Sequence, residues 1–154
     1  MSSGRVPQEY KELFWQPRKQ SIGVAEEAAA IGAFYSAPKL FNRRKIIHFV
    51  DNAGSLSHLV NGYAGQPDSA KLVNAFHAAV IALRLQWWGE WIPSKANIAD
   101  IMTRIDRIKE LYDGLGADTH VKKWKFELPP MGNSTTRLRD WARLMRQRAD
   151  ACVL

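Results

Sequence analysis

KIIHFVDN, residues 45–52, decides the fold. Ile46, Ile47, Phe49 and Val50 make a short apolar run. It is bounded by the polar Asn42-Arg43-Arg44 on one side and by Asp51-Asn52 on the other. A β-branched run of that length reads as a strand buried in a sheet. QWWGEWI, residues 86–92, alternates around three tryptophans and is stopped by Pro93, so it reads as a second strand. Between the two lie a short helix over 53–61, capped by Asn52 or Asp51, a loop over 62–68 marked by Gly62, Gly65 and Pro67, and a long helix over 69–85. Leu72, Phe76, Ala79, Val80 and Leu83 give that helix one apolar face. Strands joined by a helical crossover pair in parallel, with a right-handed connection. A sheet of two parallel strands is too small to stand alone, so part of the sheet is expected to be missing.

Further from that centre, residues 22–36 (IGVAEEAAAIGAFYS) are rich in alanine and read as a helix, ended or kinked by Pro38. Residues 1–20 form a lead-in with one helical turn around 9–15. Asn97 caps a short helix running through Arg104. Ile105, Ile108, Leu111, Tyr112 and Leu115 recur at helical spacing, and 122–128 reads as extended. Residues 134–149 form a last helix with five arginines: Arg137, Arg139, Arg143, Arg146 and Arg148. That helix is either a solvated face or a surface for an acidic partner or nucleic acid.

The chain has 154 residues, 46% of them hydrophobic and 24% charged, which is enough for one domain with a real core. The longest apolar candidate, 75–85, is broken by His77 and Arg84 and falls short of the about 20 residues that span a bilayer, so no membrane partner is expected. Cys152 is the only cysteine, which excludes an internal disulfide and any cysteine zinc site and fits an intracellular compartment. A net charge of +7 favours a polyanionic partner through counterion release.

Asp51 ends a strand, and ligands of open parallel sheets bind just beyond the carboxyl ends of strands. Taken alone it reads better as a helix cap. Asp100 follows the second strand and reads alone as a first-turn aspartate favoured by the helix dipole. Glu26 and Glu27 sit in an apolar helix. Neighbours on a helix diverge by roughly 100°, so both cannot be equally exposed. The alternative is two surface glutamates. A convergence of these carboxylates would suit Mg²⁺, which prefers oxygen donors and keeps part of its water shell.

Three stretches together resemble a known family. KQSIGVAEEAAAIGAF, KIIHFVDNAGSLSHLVNGY and DSAKLVNAFHAAVIALRLQWWGEWIPSKANIADIMTR, within about residues 18–104, resemble the ribonuclease H-like domain of reverse-transcriptase polyproteins. The likeness is greatest to DIRS-like, tyrosine-recombinase retrotransposons. The resemblance implies an α/β, ribonuclease H-like fold with a mixed sheet. Parallel strands 45–50 and 86–92 would be flanked by helices, with the leading strands largely missing. It implies a lead-in over 1–20, a core over 21–104 and a helical basic C-terminal extension over 105–154.

The activity implied is two-metal hydrolysis of the RNA strand of an RNA–DNA hybrid. Glu26, Asp51 and Asp100 would be the catalytic and metal-holding residues; the I-G-x-x-E register selects Glu26 over Glu27. Successive members lie 25 and 49 residues apart. Asn52, Lys95, Arg104, Arg139, Arg143 and Arg146 are expected at the nucleic acid. Mg²⁺ or Mn²⁺ is the expected cofactor, weakly bound, and the partners are a hybrid or duplex and the rest of a reverse-transcriptase polyprotein.

Two departures stand out. The family's first aspartate has no counterpart before Asp51, so the chain reads as truncated and its activity as impaired. The mobile histidine of many relatives is absent, with Ser94 and Lys95 in that turn. The alternative function is a non-catalytic nucleic-acid-binding or interaction remnant. His48, His58, His77 and His120 show no ligand spacing and read as packing or surface residues. The six tryptophans read as core, with Trp15 and Trp124 held open for base stacking.

Overall fold

The computed structural model describes residues 8–14, 22–101, 113–114, 125–130 and 138–151. In chain order these form α1 (Gln8–Phe14), α2 (Ile22–Ser36), α3 (Pro38–Phe41), β1 (Lys45–Val50), α4 (Ala53–Asn61), α5 (Pro67–Ala82) and β2 (Gln86–Trp91). A 3-10 turn (Ser94–Ala96), α6 (Ile98–Ile101) and α7 (Leu138–Asp150) follow. The architecture is mixed helix and strand: two parallel strands flanked by helices. Register runs from Lys45 opposite Gln86 to Val50 opposite Trp91. No helix among the described residues is long and apolar enough to cross a membrane.

Local chemistry accounts for the boundaries. Asn52 caps α4, its Oδ1 accepting from Ser55 N at 2.9 Å. Gly62 closes the same helix at φ 68°, a left-handed position that suits glycine. As expected, α2 ends just before Pro38: Ala37, the residue preceding the proline, leaves helical geometry at φ −139°. Pro38 itself opens α3, in the first turn, where its missing N–H costs nothing. Pro67 likewise starts α5 two residues before the periodicity predicts, with Asp68 in its first turn. That helix stops at Ala82, three residues early, because Arg84 turns left-handed at φ 53° and sends the chain into β2. The segment 125–130, expected to be partly extended, carries no regular structure. The helical pattern of 105–115 falls almost wholly outside the described residues.

The core lies between the inner face of the sheet and helices α2, α5 and α7. Ile31, Phe34 and Tyr35 of α2 meet Leu72, Phe76 and Ala79 of α5, all buried. The Phe76 ring lies 5.6 Å from Phe34 and 4.9 Å from Trp87 between centroids. Trp141 and Met145 of α7, within the stretch read as a basic extension, are buried in the same cluster. Tyr35 donates its hydroxyl to Ala75 O at 2.9 Å, pinning α2 to α5. At Gly89 a Cβ would stand 2.5 Å from the Trp87 ring and 2.7 Å from Leu56, so any side chain there would force one of these to shift where α4 packs on β2. The outer face is different: Ile47, Phe49 and Trp88 are exposed, and β1 has no second strand partner among the described residues.

Candidate functional site

The carboxyl end of β1 and the start of α2 meet at one point. Asn52 Nδ2 donates to Glu26 Oε2 at 2.6 Å. The cap fixes which way the amide faces: Ser55 N–H needs an acceptor, so Oδ1 turns to the helix and the NH₂ turns to Glu26. Asn52 therefore holds the Glu26 carboxylate at the strand end, one residue beyond Asp51. Glu26 is exposed and Asp51 half-buried, so both keep contact with water. Trp91 Nε1 donates to Asp51 O at 3.2 Å, which ties the end of β2 to the same point.

Glu27 takes the opposite course. It is 1% exposed, and His58 Nδ1 stands 3.3 Å from its Oε1. Burial pushes the Glu27 carboxyl above the usual range, while hydrogen bonding from Ser69 and the nearby His58 pull it back. The two glutamates are not a surface pair. Glu27 sits three residues after Val24 and four before Ile31, on the helix face that enters the core.

Other residues fall in different places. Asp100 lies in α6, which follows β2 beyond its carboxyl end; its side chain is outside the described set, as is Arg104. Lys95 is exposed in the 3-10 turn. Arg139, Arg143 and Arg146 are exposed along one stripe of α7, and Asp140 lies 3.8 Å from Arg139 and 3.9 Å from Arg143. Arg148 is different. It pairs with Glu127 and donates to Tyr35 O, so it fastens α7 to α2.

Histidines and tryptophans divide by position. His48 packs against Phe34 and accepts from Trp87 Nε1 at 3.4 Å; burial pushes its imidazole down to about 4, so it stays neutral. His77 Nε2 donates to Leu59 O at 3.1 Å. Trp141 is buried, but Trp88 and Trp91 are not core residues: they are 65% and 50% exposed. Trp15, Trp124 and His120 lie outside the described residues. Two arrangements escape the sequence reading, the Glu27–His58–Ser69 cluster and the exposed Trp91. The first had a signal, since Glu27 shares the spacing of the apolar stripe.

Among the described residues, no group of three or more His, Cys, Asp or Glu side chains stands close enough to hold a metal ion. The donors that do face water here, Glu26 and Asp51, are hard oxygen ligands of the kind that suits Mg²⁺. Compared with known proteins, the chain matches no family model, no curated protein and no solved structure.

Proposed function

We propose that this chain is a ribonuclease H-like domain of the retroelement reverse-transcriptase type, which binds RNA–DNA hybrid at the carboxyl end of β1. One observation carries the reading: Glu26, and not Glu27, is tied through Asn52 to the strand end that bears Asp51. The parallel pairing of β1 and β2 across a helical crossover supports it. Glu26, Asp51 and Asp100 would hold the cation. Bound there, Mg²⁺ would supply activation of a water and neutralisation of the leaving oxygen of a phosphodiester.

The chain's own residues have separate duties. Asn52 orients Glu26, and Asp51 would contribute its carboxylate from the end of β1. Three carboxylates form a sparse set for two dications, so cation binding is weak and cleavage slow. A second reading, a nucleic-acid-binding remnant without catalysis, is favoured by the outward stripe of Arg139, Arg143 and Arg146.

A labelled RNA–DNA hybrid titrated with the chain in Mg²⁺ or Mn²⁺ tests both. Binding is expected to weaken steeply with salt, because phosphate contacts release counterions. Replacing Arg139, Arg143 and Arg146 together by glutamine should weaken binding and flatten that salt dependence. Slow cleavage lost in Asp51→Asn supports the enzyme; binding without cleavage supports the remnant. No binding at low salt sinks both.

A further inference from the structure

Trp91 is the anomaly of the candidate site. Tryptophan is a large apolar side chain that proteins usually keep mostly covered. Here half of it meets solvent, at the last position of β2 and directly across the sheet from Val50. The ring is not loose. Its only polar atom, Nε1–H, is committed to Asp51 O. A donor fixed at one edge leaves the π-faces as the surface on offer. Trp88 makes the contrast plain: it projects from the outer face of the sheet, donates to Glu90 Oε2, and has no link to Asp51.

What surrounds Trp91 narrows the occupant. Asp51 and Asn52 lie at the adjoining strand end, and Asn52 holds Glu26. Lys95 is exposed four residues further along the chain. The protein as a whole carries +7. The chain's net positive charge favours a polyanion, and carboxylates that would take a cation suit a phosphodiester. A flat apolar plate beside them suits the base attached to it, since every nucleobase has a π-face and stacking on an aromatic side chain tolerates any sequence. We infer that Trp91 is a stacking platform for one nucleobase of the bound strand, positioning that strand over the Glu26–Asp51 end of the sheet. This rests on the nucleic-acid reading above. Trp91 is a positioning residue and takes no part in the chemistry.

The test uses the whole chain and fluorescein-labelled oligonucleotides, single-stranded RNA and RNA–DNA hybrid, each trimmed to the shortest length that still binds so that one register is imposed, read by fluorescence anisotropy. An abasic scan along the RNA comes first, because it leaves the protein untouched. One or two adjacent positions are expected to weaken binding roughly tenfold to a hundredfold when the base is removed. Trp91→Ala should weaken binding of intact RNA by a similar factor and make the scan flat, while Trp91→Phe keeps most of both effects. A flat scan with the unaltered chain overturns the inference. So does a Trp91→Ala variant that still melts cooperatively and keeps the position-dependent loss. If the unaltered chain binds neither oligonucleotide at any salt concentration, the nucleic-acid reading fails and takes this inference with it. Binding with a flat scan defeats the stacking role alone.

Discussion

Glu26 and Glu27 are one residue apart and occupy two different media. Glu27 faces inward, where α2 meets α4 and α5, and its carboxyl is covered by His58 and Ser69. Glu26 faces the strand end, in water, with one amide hydrogen bond to hold it. A buried carboxylate must be satisfied by the protein or it costs several kcal/mol, so its partners serve stability. An exposed carboxylate costs little to keep and stays available to a ligand. The inner flank of α2 is thus built for folding and its outer flank for contact, although composition alone does not distinguish the two residues.

The inner flank should break hardest at its centre. Phe76 is fully buried between Phe34 and Trp87, and Phe76→Ala removes a ring that nothing nearby replaces. A loss of about 3–5 kcal/mol is expected in denaturant unfolding. A loss under about 1 kcal/mol would mean that the aromatic cluster is not the core.

Acid should find the inner flank through His48. Its imidazole titrates near 4 in the folded chain and near 6.5 when unfolded. Between those values the unfolded chain holds the extra proton. Stability from this group is therefore full above about pH 6.5 and falls as pH drops towards 4, by on the order of 2–3 kcal/mol. Glu27 works in the opposite sense. Burial makes its carboxyl hold a proton to higher pH when folded than when unfolded, so its contribution is present at low pH and is lost as pH rises through its folded value. The two windows overlap, and subtraction separates them. His48→Gln retains a polar side chain that does not titrate, so melting temperature against pH should lose the His48 limb alone. An unchanged acid limb would show that His48 is solvated.

The smallest effect concerns the glutamates themselves. Glu27→Ala strips His58 and Ser69 of their partner and should cost about 1–3 kcal/mol. Glu26→Ala should stay within about 0.5 kcal/mol, as exposed substitutions usually do. Equal losses for the two variants would erase the distinction between the flanks.

Much of this layout was legible in the sequence. The strand at 45–50 and the helix at 22–36 were readable because short β-branched runs and alanine-rich periodicity are local signals. Asn52 as a cap was readable for the same reason. The end of α5 was not, because Arg84 adopts a left-handed conformation that its residue type does not announce. The second duty of Asn52, holding Glu26, depends on a contact across 26 positions. The His58–Glu27 pair spans 31. Exposure of Trp91 could not be read either, since an alternating aromatic strand looks alike whether one face or both are covered.

The last helix sets a schedule for the chain's own synthesis. Trp141 and Met145 finish the core begun by α2 and α5, and Arg148 reaches back to Tyr35 across 113 positions. Trp141 follows the end of α5 by 59 residues. At ordinary elongation rates that interval takes roughly 3–12 s, during which the apolar faces of α2 and α5 have emerged without the helix that covers them. A growing chain of this kind is most vulnerable to aggregation late in translation, and slow codons after Ala82 would lengthen that exposure.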